Sequence, residues 1–105
     1  MPVYIREYRE LARERWGGPG VSIPAGKEPA ITQQTKIDAT GTSQQSAAFN
    51  AETTFVLVTT DEIIHIVFGT APTATDNDHR MPADSTQFFG VERGAGLKLA
   101  VLQGT

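Results

Sequence analysis

Two runs of apolar and β-branched residues follow each other in the second half of the chain, with the single residue Asp61 between them. The first run, residues 53–60, reads TTFVLVTT, and the second, residues 62–68, reads EIIHIVF. Valine, isoleucine, threonine and phenylalanine are favoured in strands, and each run has the length of a strand. The two runs therefore predict neighbouring β-strands in one sheet.

Both predicted strands are apolar on both faces. In the first run, Phe55 and Leu57 point to one side of the strand, and Val56 and Val58 point to the other. Strands of this kind are usually covered on both sides. In a chain of 105 residues the N-terminal segment or another subunit could provide the second cover. The pattern predicts an oligomer, or a module within a larger assembly.

Further sequence patterns predict additional strands in the second half of the chain and shorter strands in the part before it. Residues 87–91 and 97–103 predict two more core strands, and residues 69–84 predict one long loop. Residues 31–37 and 42–49 have few large apolar side chains and predict edge strands. Short strands in this order predict an all-β fold, a small β-sandwich or jelly-roll-like barrel.

The N-terminal segment has a different character. Apolar and charged residues recur at helical spacing over residues 7–15, which predicts a short helix. Glycines and prolines follow, and residues 21–29 predict an extended, exposed arm. The chain is therefore expected to divide into a helix and arm, residues 1–30, and a β-sandwich domain, residues 31–105.

A helix and a loose arm have little to pack against within their own chain, so this segment is a candidate for docking on a neighbour. Aromatic and aliphatic side chains are the usual anchors of such contacts. Alternatively, the aromatic side chains of this segment cap the open end of the β core. The candidate partner-binding residues are Tyr4, Tyr8, Leu11, Trp16, Ile23 and Ile31.

Charge and composition exclude several classes of partner. The net charge of -3 and the sequence pI near 5.2 give no overall attraction to nucleic acid or to an anionic membrane. Arginines near the N-terminus alternate with glutamates, which indicates a salt-bridged surface. The absence of cysteine fits assembly in a reducing compartment. We expect neither a membrane span nor a signal peptide, since no apolar run has the required length.

Residues that could carry chemistry are sparse. His65 lies among isoleucines and valines, where a histidine is expected to be a hydrogen-bonded core or interface residue. Asp76, Asp78 and His79 offer closely spaced ligands, but the loop lacks the ligand spacing and terminal glutamate of a calcium-binding EF-hand. No serine stands in a nucleophile-elbow motif. The sequence predicts a protein that is not an enzyme and that holds no cofactor or metal.

A resemblance extends over nearly the whole chain. The segments that carry it are IREY at residues 5–8 with Leu11 and Ala12, PAGKEPA at 24–30, SAAFNA at 46–51, FGTAPTAT at 68–75, RMPA at 80–83, FFGV at 88–91 and LKLAV at 97–101. With these segments the chain resembles small structural proteins that are encoded among the head and tail genes of tailed bacteriophages.

The resemblance implies a non-enzymatic virion component, a decoration (cement) protein on the exterior of the capsid. Its implied partners are the major capsid protein and further copies of itself, as a dimer or trimer, with assembly in the host cytoplasm. A head-to-tail connector or a tail subunit is the alternative within the same class. A β module that binds a glycan or a calcium ion is the alternative outside it, through the loop around Asp76, Asp78 and His79 together with Phe88, Phe89 or Trp16.

Overall fold

The computed structural model of the protein describes residues 2–13, 22–26 and 28–104, with residues 11–13 and 22–25 described by their backbone alone. These residues form strands and no helix. The strands are β1 (Pro2–Tyr8), β2 (Leu11–Arg13), β3 (Ser22–Gly26), β4 (Thr32–Gln33), β5 (Ile37–Asp38), β6 (Gln44–Gln45), β7 (Phe55–Thr60), β8 (Ile64–Gly69), β9 (His79–Met81), β10 (Ser85–Gly90) and β11 (Lys98–Gln103).

The strands form two antiparallel sheets and a separate ribbon. The five-stranded sheet has the order β10-β7-β1-β4, and β5 also pairs with β1. The four-stranded sheet has the order β6-β11-β8-β9. Strands β2 and β3 pair with each other as a two-stranded ribbon. The all-β prediction is confirmed, and the two sheets make up the body of the molecule.

The core lies between the two sheets. Alternate residues of each long strand point inward, so that Val3, Ile5, Val56 and Val58 of the five-stranded sheet meet aliphatic side chains of the other sheet. Full burial of one such side chain contributes roughly 1.5–3 kcal/mol. The core residues contributed by the four-stranded sheet are Ile64, Ile66, Met81, Leu99 and Val101, and Ala39 and Phe49 complete the cluster from outside the long strands.

The predicted helix over residues 7–15 is wrong for the part of that range that the structure describes. Glu7 and Tyr8 end β1, and Leu11–Arg13 is β2. In β1 the burial alternates, with Val3 and Ile5 buried and Tyr4 exposed. Pairing of β1 with β7 over residues 3–8 outweighs the helical spacing, because sheet formation buries the inward side chains. Residues on both sides of the predicted boundary at residue 30 share this sheet.

The two apolar runs that predict neighbouring strands form β7 and β8, but the pairing prediction is wrong. Strand β7 lies between β10 and β1 in one sheet, whereas β8 lies between β11 and β9 in the other. The short connection at residues 61–63 therefore carries the chain across the core. The predicted loop at residues 69–84 also contains a strand, since His79–Met81 pairs with β8.

The predicted arm is extended but paired. Ser22–Gly26 forms β3 and lies antiparallel to β2, with a register irregularity between Leu11 and Arg13. The ribbon belongs to neither sheet of the body. Its end at Gly26 returns to the body beside Tyr8.

Candidate interaction surface

The outer face of the five-stranded sheet carries large apolar side chains. The register places Tyr4 opposite Thr59, and it places Leu57 between Arg6 on one side and Phe88 on the other. Because paired residues point to the same side of a sheet, these side chains lie together on the face away from the core. Tyr4 is 39% exposed and Phe88 is 50% exposed. We call Tyr4, Phe55, Leu57 and Phe88 the aromatic face.

Ring contacts organise one end of this surface. The rings of Tyr8 and Phe55 are stacked, with centroids 5.2 Å apart and an interplanar angle of 16°. Phe88 meets the Phe55 ring edge-on at 5.7 Å and lies 6.4 Å from Tyr8. Such pairs contribute roughly 0.5–1.5 kcal/mol beyond their buried area. Phe88 is therefore held in place on its strand while half of its surface stays in solvent.

Tyr8 is the covered member of this ring cluster. It is only 4% exposed, because Gly26 at the end of the ribbon lies against its ring. A Cβ atom at Gly26 would overlap the tyrosine ring, so the approach depends on glycine. The Tyr8 hydroxyl donates to Glu28 Oε2 at 2.8 Å and accepts from Arg6 Nε at 3.1 Å. The ribbon is thus fastened to the body at one edge of the aromatic face.

The Arg6, Tyr8 and Glu28 side chains shift one another's protonation. The hydrogen bond from Tyr8 is the main cause that lowers the pKa of the Glu28 carboxyl below its ordinary value, and Arg6 lowers it further. Burial raises the pKa of the Tyr8 hydroxyl, and the bond to Glu28 acts in the same direction. The hydrogen bond with Tyr8 raises the pKa of Arg6. Arg6 also forms an ion pair with Glu28 through Nη2 and Oε1.

A shallow groove of about 540 Å³ runs along the opposite edge of the aromatic face. Tyr4, Leu57 and Thr59 form its apolar side, and Lys36 lies at its polar side together with Arg6 and glutamines 33 and 34. Among the described residues, Lys36 forms no ion pair, whereas Arg6 is engaged by Glu28. The groove therefore combines an apolar wall with the positive charge of Lys36, which no carboxylate of the described residues pairs with.

The second sheet differs, because the chain covers its outer face itself. Residues 70–78 lie over this face: the Ala74 N–H donates to Ser43 Oγ at 2.9 Å, and Gln45 Nε2 donates to the Pro72 carbonyl at 2.9 Å. Ala74 is buried beneath its own loop. Ala100 points away from the shared core and is nevertheless fully buried. Strands β8 and β11 are apolar on both faces, and the chain itself therefore covers their outward side chains.

The predicted partner-binding residues have different environments. Tyr4 is exposed on the aromatic face, Tyr8 is buried under the ribbon, and Ile31 is half-buried with its N–H donating to the Glu7 carbonyl. Leu11 lies in β2 and Ile23 in β3, and both are described by backbone alone. Trp16 lies outside the described residues. Of the set members whose side chains the structure describes, Tyr4 and Tyr8 lie on one face of the five-stranded sheet.

Phe88, Leu57 and Lys36 are surface residues that the partner-binding prediction omits. The alternation of Phe55 and Leu57 against Val56 and Val58 is a sequence signal for an outer apolar side. It does not say which strands lie beside β7, and therefore does not bring Phe88 and Tyr4 to that side. That information resides in the register of β1 and β10.

The residues considered for chemistry are engaged in structural contacts. His65 is buried, and its Nδ1 lies 3.1 Å from the Asp78 carbonyl oxygen. The Asp78 carboxylate accepts from the Thr75 N–H at 2.7 Å and from the Thr75 hydroxyl at 3.1 Å, which closes a turn. His79 Nε2 lies 2.9 Å from Gln87 Oε1. Within the described ranges no three histidine or carboxylate side chains are grouped so that they could hold a metal ion.

In the part of the chain that the structure describes, no helix has the length and apolarity needed to span a membrane. Comparison of the sequence and structure with protein-family models, with curated proteins and with solved structures gives no match.

Proposed function

We propose that this protein is a non-enzymatic structural subunit of a virion, a decoration protein that binds the exterior of a tailed-bacteriophage head through its aromatic face. The observation that carries the proposal is the half-exposed Phe88, held by Phe55 and Tyr8 on the outer side of the five-stranded sheet. Aromatic anchors of this kind dominate the energetics of protein interfaces. The resemblance of the chain to phage head and tail proteins supplies the class of partner, the major capsid protein.

The shape of the two-sheet body supports a binding role. We assign it to the β-sandwich class, in which a rigid body presents flat outer faces. One outer face is covered by residues 70–78, and the other keeps Tyr4, Leu57 and Phe88 accessible. A large apolar patch on one side of a small rigid body is typical of a protein that binds another protein. A decoration protein acts in this way, by adding buried area across the joints between capsid subunits.

The ribbon gives the body a second point of attachment in this proposal. Because β2 and β3 pair with each other and not with either sheet, the ribbon can bind a neighbouring subunit without disturbing the core. Contacts made by both body and ribbon strengthen binding through effective concentration. In the proposed arrangement the aromatic face provides the main anchor, and the ribbon provides the second contact.

Co-sedimentation with empty head shells of the phage that encodes the chain tests the proposal. Wild-type protein should pellet with the shells, and Phe88→Ala should bind at least about tenfold more weakly, as expected for an aromatic anchor. Arg80→Ala, on the outer side of the other sheet, is the matched control and should bind like wild type. Electron microscopy of the bound complex should show the protein on the shell lattice.

Three results would overturn this proposal. One is the absence of wild-type protein from the shell pellet. Another is a Phe88→Ala variant that binds as strongly as wild type. The third is a density for the protein in a ring at the portal or along the tail, which would identify a connector or tail subunit instead.

A further inference from the structure

Strand β10 forms an open edge of the five-stranded sheet. It lies at the end of the strand order and pairs only with β7 among the described strands. It is six residues long, whereas the edge strands β4 and β6 have two residues each and β9 has three. An open edge presents unpaired N–H and C=O groups that can pair with another chain.

Hydrogen bonding identifies which groups of β10 face outward. The Val91 N–H donates to the Thr54 carbonyl, in the same register that pairs β10 with β7. In an antiparallel pair, every second residue directs its N–H and C=O toward the same neighbour. Ser85, Gln87 and Phe89 therefore bond to β7. The N–H and C=O groups that point to the open side belong to Thr86, Phe88 and Gly90.

This edge lacks the features by which proteins prevent edge pairing. Its sequence STQFFG contains no charged residue and no proline. Its pairing with β7 is continuous over all six residues, with no bulge to twist the edge away. Phe88 is also the most exposed large apolar side chain among the described residues. Strand β10 is thus long, regular, uncharged and flanked by apolar surface.

We propose that β10 pairs antiparallel with β10 of a second copy of this chain across a two-fold axis, joining the two five-stranded sheets edge to edge. A two-fold contact uses the same patch on both copies, so the patch must be complementary to itself. Strand β10 meets this condition, because it is uncharged and every second residue directs an unpaired N–H and C=O to the open side. The inference goes beyond the virion role, since pairing of this kind is independent of capsid binding.

Charge and side-chain packing select the register. If the axis passes through Phe88, Asp84 lies opposite Glu92 of the second copy, and two like charges face each other. If the axis passes through Gln87, Thr86 lies opposite Phe88 of the second copy. That register pairs a β-branched residue with an aromatic one, which is a favourable cross-strand combination. It forms about four backbone hydrogen bonds, from the N–H and C=O groups of Thr86 and Phe88 in both copies.

Light scattering coupled to size exclusion tests the proposal on the full chain. Wild type should have about twice the chain mass of 11.3 kDa. Thr86→Pro removes an outward N–H and leaves the backbone bonds to β7 in place, and it should weaken dimerisation by at least about thirtyfold, since two bonds between the copies are lost. Thr86→Pro and Thr86→Val both lose the hydroxyl that lies 3.2 Å from Thr59 Oγ1. Thr86→Val keeps the N–H and is the matched control that should remain dimeric. A monomeric wild type, or a Thr86→Pro variant that stays dimeric, would overturn the proposal.

Residue-level hydrogen exchange on wild type provides a second measurement in case the proline variant does not fold. The amides of Thr86 and Phe88 should be protected in concentrated protein and exchange faster on dilution. The amides of Gln87 and Phe89 bond to β7 and should stay protected at both concentrations. If dilution left the protection of all four amides unchanged, edge pairing would be rejected. A dimer that fails to bind head shells would support edge pairing and reject decoration, and a monomer that binds them would do the reverse.

Discussion

At the residue scale, Glu7 is an ionisable side chain that lies inside an otherwise apolar layer. It lies on the inner side of β1 opposite Val56 and is 1% exposed. Its carboxylate accepts from the Asn50 N–H at 2.6 Å, the Thr53 hydroxyl at 2.8 Å and the Gln34 amide at 3.0 Å. A buried carboxylate is tolerated only when such donors satisfy it. Glu7 thereby holds residues 50–53, the segment that precedes β7, against β1.

Replacing Glu7 tests this role. Glu7→Ala leaves several buried donors without an acceptor, and we expect the free energy of unfolding to fall by about 3 kcal/mol. Glu52→Ala is the matched control, because Glu52 forms ion pairs with Arg9 and Arg93 that are more than half exposed. Its loss should be below about 1 kcal/mol. Urea denaturation measures both values, and equal losses would show that Glu7 is not a fixed point of the core.

The pH dependence of stability follows from Tyr8 and Glu28. The folded state lowers the pKa of Glu28, so its contribution is present above the unfolded value of about 4.3 and is lost as the pH falls through the folded pKa. Folding raises the pKa of Tyr8, so its contribution is present below about pH 10 and is lost as the pH rises through the folded pKa. Stability should therefore be highest between these limits.

Two variants separate these contributions in urea denaturation at a series of pH values. Glu28→Gln should flatten the acid side of the stability profile. Tyr8→Phe should flatten the alkaline side of the profile. It should also make the loss of stability at acid pH smaller, because the Tyr8 hydroxyl is the main donor to Glu28. A Tyr8→Phe profile that keeps the full acid-side loss would contradict the link between the two groups.

At the element scale, the sequence indicates the strands of the second half of the chain but not their partners. Strands β7 and β8 were predictable because β-branched residues fill both of them. A connection of three residues does not distinguish a hairpin from a crossing between sheets, so the neighbours of β7 could not be read from it. Strand β1 reads PVYIREY with apolar residues at spacings that also fit a helix, and its identity as a strand depends on pairing with the distant strand β7.

The same limit applies to the aromatic face. Phe55 and Leu57 were predictable as residues on one side of a strand, since alternation along a strand is local. The neighbours that make them part of a surface come from β1 and β10, which are far away in the chain. The cover over the second sheet comes from a loop rich in small and polar residues, which carries no local signal for what it packs against.

The identity of β1 as a central strand predicts a contrast between two adjacent residues. Ile5 is fully buried and Tyr4 is exposed. Ile5→Ala should lower the free energy of unfolding by about 2–5 kcal/mol, because it leaves a cavity in the core. Tyr4→Ala should lower it by less than about 1 kcal/mol. Chemical denaturation of both variants makes the comparison, and similar losses would argue against an alternating strand at this position.

At the scale of the whole molecule, the two sheets differ in how far their outer faces are covered. The four-stranded sheet is covered by residues 70–78, held through Ser43 and Gln45. The five-stranded sheet keeps the aromatic face, apart from the end where the ribbon meets Tyr8. Of the two outer faces, the aromatic face is therefore the one that leaves large apolar side chains accessible to solvent. Loss of the loop cover would create a second apolar face and favour open-ended aggregation.

Ala74 offers a direct test of this arrangement. Its side chain is 4% exposed within the loop cover, so Ala74→Asp places a charge where it has no partner and should lift the loop. We expect the free energy of unfolding to fall by about 3 kcal/mol and light scattering to rise with protein concentration. Thr73→Asp changes the preceding, exposed residue and should do neither. If both variants remained stable and free of aggregates, the loop would not be what keeps the outer face of the four-stranded sheet out of water.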